Sequence, residues 1–313
     1  MTSFLVTGAA GFIGSNLVEA LIADGEQVIG LDNLLTGKRE NLEGFSERFR
    51  FVEGDVRDLE TLRGLCGGVD FVLHQAALAS VPWSIDDPGL AHEHNTTGTH
   101  NVLVAAREAG VERVVLASSS AVYGDTEVVP SPESLPLRPT SPYAATKVAA
   151  EAFAAAFNGS MGLEVVALRY FNVYGPRQDP ASGYAAAIPA FVSRALAGER
   201  PVIFGDGGQT RDFVYVEDVV RANLLACAAP DRACGRAFNI GTGRAVTVSE
   251  LAAVILELAG ADLEPDHGPE RSGDVRHSCA DITAAGQALG FAPRFDLRAG
   301  LDKTLDWYKQ TPA

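Results

Sequence analysis

The sequence predicts an α/β fold, a doubly wound parallel sheet carrying a smaller mixed α/β lobe, and three observations predict it. Short β-branched apolar runs recur through the first half: SFLVTG, QVIGLD, RFVEGD, DFVLHQAA, RVVLASSS and LEVVALRY. Longer helical patterns such as LVEALIADG and HNVLVAAREAG separate them. Runs this apolar suit parallel strands covered on both faces, and their alternation with helices implies βαβ units. Beyond Gly175 the pattern loosens into GPRQDPASGY, a helix near AIPAFVSRALAGE, strand-like PVIFGD and FVYVED, and a helix at SELAAVILELAG. Pro and Gly concentrate there, as in loops that shape a second lobe. The expected division is 1–174 and 175–313, with some of the later chain returning to the first unit.

Composition narrows the function. The chain has 313 residues, 47% of them hydrophobic, enough for a sizeable core. Its 40 acidic and 25 basic side chains leave a formal charge of -15, which repels nucleic-acid backbones and anionic lipid surfaces. Neither nucleic acid nor membrane is expected as a partner. Cys66, Cys227, Cys234 and Cys279 are scattered and fit no CxxC spacing, so free thiols are expected rather than a disulfide or structural zinc. His74, His92, His94, His100, His267 and His277 show no metal-ligand spacing, and no catalytic metal is expected. With no cationic leader and no run of eighteen apolar residues, a soluble cytoplasmic protein is expected.

The first strand runs into TGAAGFIGSNLVEAL, with Gly8, Gly11 and Gly14 at the turn into a helix. Glycines permit the tight turn and let backbone N–H groups approach a pyrophosphate, whose charge the helix N-terminus stabilises. Asp32 closes the next strand eighteen residues after Gly14, where a carboxylate accepts both adenosine ribose hydroxyls and repels a 2′-phosphate. NAD is therefore favoured over NADP. A strand-end cap is the plainer role for Asp32, and Lys38 and Arg39 lie close enough in sequence to soften the preference.

Residues 143–147 read YAATK, which puts Tyr143 and Lys147 four apart on one helix face. Alone, the pair describes a helix whose Tyr caps the core and whose Lys is solvated. The GxxGxxG and YxxxK spacings, with LDN, GDVRD, HQAA, NTTGT, SSSAVYG, RYFNVYG, FGDGGQTRDFVYVEDV, NIGTG and RSGDVRHSCAD in that order, resemble the extended branch of the short-chain dehydrogenase/reductase superfamily, the nucleotide-sugar enzymes. The resemblance covers nearly the whole chain. It implies a Rossmann sheet, Asp55 and Val56 flanking an adenine, and Ala76, Ala77 and Asn95 lining the ribose and nicotinamide side, with Tyr170 near the nicotinamide. It implies further cofactor contacts from Phe12, Ile13, Asn33, Thr36, Gly37, Gln75, Ser118 and Val173.

The same resemblance turns YAATK into chemistry. A phenol is a poor base at neutral pH, but a neighbouring ammonium and a positive nicotinamide favour its phenolate. Tyr143 is then the base, and Lys147 its tuner and a holder of the nicotinamide ribose. Aligned on VYG, Ser119 is the hydroxyl that bonds the reacting sugar oxygen; Ser118 and Ser120 lie one step away and stay open, and a serine triplet also suits a turn that bonds its own backbone. Dehydratases and decarboxylases of the branch follow this hydroxyl with acidic residues, whereas here Ser120 and Ala121 follow. Without that acid and base a 4-keto sugar returns to the alcohol, so a UDP-sugar 4-epimerase is expected.

For the substrate, the resemblance puts Asn172 on the diphosphate together with Arg211 and Arg271, whose guanidinium groups match phosphate oxygens. Asp274 is expected on the nucleotide ribose, and Ala187, Val202, Phe204 and Phe213 around the uracil. Ser80, Ser84 and Ser120 are candidates for the hexose. Ser278 aligns with the residue facing the sugar C2 substituent, where a small side chain leaves room for an N-acetyl group. The rival enzyme is a UDP-glucuronate 4-epimerase, and the rival of another class is a non-catalytic NAD-binding sensor or scaffold. The helices HNTTGTHNVLVAAREAG and AATKVAAEAFAAAF resemble a family dimer interface, so a homodimer is expected.

Overall fold

Alternation along the strands explains why this chain builds a sheet buried on both sides. On the first strand Phe4 and Val6 point into one apolar layer, while Leu5 points into the other. The computed structural model describes residues 1–45, 47–180, 186–270 and 275–311. Six strands alternate with helices: β1 (Ser3–Thr7), β2 (Gln27–Asp32), β3 (Phe49–Glu53), β4 (Phe71–His74), β5 (Arg113–Ser119) and β6 (Glu164–Tyr170). The remaining strands are β7 (Asn172–Tyr174), β8 (Val202–Phe204), β9 (Thr210–Tyr215), β10 (Ala237–Ile240), β11 (Ala245–Thr247) and β12 (Asp266–Gly268).

The main sheet has seven strands in the order β10-β6-β5-β4-β1-β2-β3, every pair parallel. The chain winds outward from β1 through β2 to β3, then from β4 through β5 to β6. The direction reverses between β1 and β4, and the crevice at the C-terminal ends of those strands is where such sheets bind ligands. Register aligns the functional ends: Thr7 lies opposite Leu31 and His74, and Ser119 opposite Tyr170.

One layer packs helix Phe12–Ala23 and helix Val216–Cys227 on the sheet through Leu17, Val18, Val219 and Ala222. The other is built on Leu62, Val102, Leu103, Ala150 and Phe157 from three further helices. Later chain does return: β10 extends the main sheet beside β6. A three-stranded sheet, β11-β9-β7, and the pair β12-β8 form a separate layer over a core of Tyr174, Phe191, Leu251 and Leu305. All four cysteines are free thiols. Among the described residues no helix is long and apolar enough to cross a membrane, and no group of three or more His, Cys, Asp or Glu side chains could hold a metal ion.

Candidate active site

The turn after β1 is a cradle that side chains would fill. Gly8 has φ of +68°, and a Cβ there would lie 2.7 Å from the Ala76 nitrogen; a Cβ on Gly14 would lie 2.0 Å from the Gly8 oxygen. Helix Phe12–Ala23 begins at Gly11 with no side-chain cap and no acid in its first turn. Its leading N–H groups and dipole therefore remain for an anion. Gly8, Gly11, Phe12, Ile13 and Gly14 line a cleft of about 600 Å³. Asp32, Asn33 and Thr36 line its second-strand side, and Val56, Gln75, Ala76 and Ala77 its far side.

Asp32 accepts N–H groups from Ala10 at 2.9 Å and Leu34 at 2.8 Å. Burial raises its pKa, and the N–H groups of Leu34, Ala10 and Gly11 oppose the rise. A Cβ on Gly37 would stand 2.9 Å from both Asp32 oxygens, so glycine there keeps the carboxylate approachable. The basic neighbours are neutralised: Lys38 pairs with Asp179 at 3.0 Å and Arg39 with Glu53. A close anion cradle, uncapped helix N–H groups and an acceptor carboxylate one strand away together fit NAD.

Asp55 accepts the carboxamide N–H of Asn33, a residue of this wall, at 2.8 Å. Burial alone would raise its pKa, but hydrogen bonds from Arg57 and Asn33 bring it to about 2. Two expected cofactor side chains are occupied elsewhere. Asn95 accepts the Leu78 N–H at 2.7 Å and donates to the Leu78 carbonyl and the Thr146 hydroxyl, so its carboxamide braces the loop after β4. Ser118, 2% exposed, donates its hydroxyl to Glu151. The Tyr170 hydroxyl is likewise enclosed by Gln75 and Asn223.

Helix Pro142–Met161 starts with Ser141 capping the Ala144 N–H and Pro142 in its first turn. Tyr143 thereby faces the end of β5, where the Ser119 hydroxyl stands beside its phenol. Ser119 also accepts the Ala121 N–H at 3.2 Å, opening the turn Ser120–Tyr123. Of the three serines, Ser119 is the one on the tyrosine. Burial pushes the phenol pKa up and the Ser119 bond opposes it. Lys147 makes no hydrogen bond to the phenol: its Nζ donates to the Ala117 carbonyl at 2.9 Å and lies 5.8 Å from the Tyr143 ring centre. Burial draws the Lys147 pKa down to about 8, against the opposing charge of Glu151.

A second cavity of about 360 Å³ adjoins the first. Asn172, Ala187, Val202, Phe204, Arg211 and Phe213 line it, with Val173 beside them. The Arg211 guanidinium donates to the Thr210 carbonyl at 2.9 Å. Half-buried Ser278 follows the bridge between Thr210 and His277, and its N–H donates to the Thr210 carbonyl at 3.1 Å, which places it beside Arg211. Arg271 and Asp274 lie outside the described residues.

The expected hexose serines divide. Ser84 is fully buried and donates to the Val81 carbonyl at 2.7 Å while accepting the Tyr143 N–H at 3.0 Å. Its hydroxyl is closed to a sugar. Ser80 caps the short helix Val81–Asp86 through the Trp83 N–H, and Ser120 stays half-buried next to Ser119.

In the sequence GPRQDP is only a loop; in the structure it belongs to the site. Arg177, Gln178 and Asp179 line the first cleft, and Gln178 lines both. Asn16 anchors this segment by donating to the Pro176 carbonyl at 3.1 Å, and Glu19 by pairing with Arg177 at 2.8 Å. The available signal was its position directly after a strand whose residues the motifs already placed at the site.

The comparisons agree with this geometry. The model of the NAD dependent epimerase/dehydratase family matches residues 4–241. A UDP-glucose 4-epimerase from Mycolicibacterium smegmatis is 43% identical over 97% of this chain and 98% of its own. A crystal structure of a Thermotoga maritima UDP-glucose 4-epimerase with UDP-glucose superposes with a TM-score of 0.94 at 40% identity, covering 100% of both chains. A UDP-N-acetylglucosamine 4-epimerase from Methanobrevibacter ruminantium, in complex with UDP-N-acetylmuramic acid, gives a TM-score of 0.94 at 40% identity over 99% of this chain and 98% of that one. With the glycine cradle, Asp32 and the Ser119–Tyr143 pair all inside a match of this extent, the chain belongs to the NAD dependent epimerase/dehydratase family.

Proposed function

We propose that the protein reversibly inverts C4 of a UDP-hexose, interconverting UDP-glucose with UDP-galactose and UDP-GlcNAc with UDP-GalNAc. The observation that carries this reading is the Ser119 hydroxyl beside the Tyr143 phenol, followed in sequence by Ser120 and Ala121. Ser119 orients the C4 hydroxyl, and Tyr143 takes its proton and later returns it. NAD, when bound, accepts hydride from C4 and gives it back. Burial keeps the phenol neutral in the protein alone, so Tyr143 becomes a base only with added positive charge beside it. Lys147 supplies a fixed cation on that side. No carboxylate stands at 120 or 121 to drive elimination at the neighbouring carbons, so the keto sugar is reduced again, and reduction on its other face inverts the centre.

In this reading residues 1–174 hold the cofactor, through the cleft residues together with Gly37, Asp55, Tyr170, Val173 and Lys147. Residues 175–313 hold the UDP moiety, with Arg211, Arg271 and Asn172 on the diphosphate, Asp274 on its ribose, and Ala187, Val202, Phe204 and Phe213 about the uracil. Ser80 and Ser120 remain on the hexose side. The protein acts in the reducing cytoplasm as a homodimer joined through helices Gly98–Ala109 and Pro142–Met161, which lie side by side within each protomer, His100 packing against Phe153 at 5.4 Å between ring centres. Light scattering on the purified chain tests the dimer.

Incubating the NAD-loaded enzyme with UDP-glucose, UDP-GlcNAc and UDP-glucuronate and resolving the products tests the reaction. Turnover of UDP-glucuronate alone would replace the hexose reading with a glucuronate epimerase. Turnover of none of them would leave an NAD-binding scaffold, and a Tyr143→Phe variant as active as the parent would overturn the catalytic assignment of Tyr143.

A further inference from the structure

The helix that carries Tyr143 and Lys147 bears a third ionisable side chain on the same face. Glu151 lies four residues beyond Lys147, one turn further on, and its side chain is 9% exposed. Arg169 on β6 donates to it twice, from Nε at 2.9 Å and from Nη2 at 2.7 Å, the paired geometry of guanidinium and carboxylate. Ser118 on β5 donates its hydroxyl to the same carboxylate. Arg169 is itself held, donating to the Tyr123 hydroxyl at 2.8 Å and the Glu133 carbonyl at 3.2 Å.

A buried ion pair adds little net stability, because desolvation offsets most of the attraction. The placement of this one does something else. Ser118 and Arg169 are register partners, as are Ser119 and Tyr170 one residue along. Glu151 thus joins the ends of β5 and β6 to the helix, one residue from Ser119. It also sets the charge around Lys147. That ammonium meets the Ala117 carbonyl on β5; the ring centre of the neutral Tyr143 phenol on its own helix lies 5.8 Å away, and its charge reaches His74 on β4, which burial keeps neutral down to a pKa of about 3. Glu151 on its own helix is the anion that supports it, with Arg169 of β6 on the far side of that carboxylate.

We propose that Glu151 is a positioning residue for the reaction, fixing Ser119 relative to Tyr143 and keeping Lys147 cationic. The inference rests on the epimerase reading for its catalytic consequence but not for its electrostatic one. Lys147 is one of four lysines in the chain, so 13Cε-lysine NMR can follow its titration directly in the protein without cofactor. In the parent the Lys147 midpoint is expected near 8. Glu151→Gln is expected to lower it by about one pH unit, and to move the alkaline limb of kcat at saturating UDP-glucose in the same direction. Glu151→Asp keeps the midpoint near the parent value while lowering kcat about tenfold, because the shorter side chain releases Ser118. Glu151→Gln/Arg169→Gln removes both members of the buried ion pair, so that neither is left facing a neutral partner, and guards against misfolding; its Lys147 midpoint stays below the parent. Equal midpoints in the parent, Glu151→Gln and the double variant would overturn the inference. A shifted midpoint in a protein that epimerises no UDP-sugar would instead sink the functional reading and leave the electrostatic role standing.

Discussion

The Ser84 hydroxyl accepts the backbone N–H of Tyr143 at 3.0 Å. At the start of a helix that N–H has no intrahelical partner, and here it is met from a different helix, 59 residues earlier in the chain. Ser84→Ala would leave the donor buried and unpaired, a cost of about 1–3 kcal/mol. The expected result is a lower melting temperature together with a several-fold fall in kcat and little change in KM, measured by calorimetry and steady-state kinetics. Ser84→Thr, which keeps the hydroxyl, should recover most of the kcat.

The glycines of the cradle are not equivalent to glycines elsewhere. Gly14→Ala drives a Cβ to 2.0 Å from a backbone oxygen, so NAD binding measured by fluorescence titration should be abolished or the turn should fail to form. Gly64, exposed in helix Leu59–Cys66, meets nothing within 4 Å. Gly64→Ala should stabilise the protein by roughly 0.5–1 kcal/mol with unchanged NAD affinity.

Acid should act through His74. Thr99 donates its hydroxyl to the Asn95 carbonyl at 2.6 Å, so it accepts from His74 Nε2 at 2.9 Å, and Nδ1 is left to accept from Thr7 at 2.7 Å. Protonation at Nδ1 would break that last bond. The folded pKa is lowered from 6.5 to about 3, chiefly by burial and also by the charge of Lys147. Between these values the unfolded chain binds more protons, so stability falls as pH drops from 6.5 towards 3. His74→Gln should melt with a shallower pH dependence over this window, and an unchanged slope would show that other groups govern it.

Ser278 tests the sugar specificity. Ser278→Tyr should reduce turnover of UDP-GlcNAc at least tenfold more than that of UDP-glucose, since a steric clash with the bulkier C2 substituent exceeds the tolerance of a packed site. Equal rates on both sugars in variant and parent would remove Ser278 from the specificity wall.

The parallel sheet was legible because strands buried on both faces must be apolar throughout, and SFLVTG and RVVLASSS have no other satisfactory environment. The cradle was legible because Gly8 and Gly14 occupy spacings that only a strand-to-helix turn requires. Side-chain direction was not. Ser84, Asn95 and Ser118 sit in motifs that border the cleft, yet all three hydroxyls or amides turn inward to satisfy backbone or carboxylate partners. A sequence places a residue near a site but does not state which buried donor nearby will claim it.

The same division holds for YAATK. Spacing alone determined that Tyr143 and Lys147 share a helix face, because helical periodicity is local, and the glycine and acid spacings likewise determined an NAD turn. The tertiary structure decided the rest: that Tyr143 meets Ser119, that Lys147 turns to the Ala117 carbonyl rather than the phenol, and that Glu151 carries the balancing charge. Those contacts depend on β5 and β6 converging on the helix at a single depth. Convergence of that kind is set by the packing of distant segments, which no local period encodes.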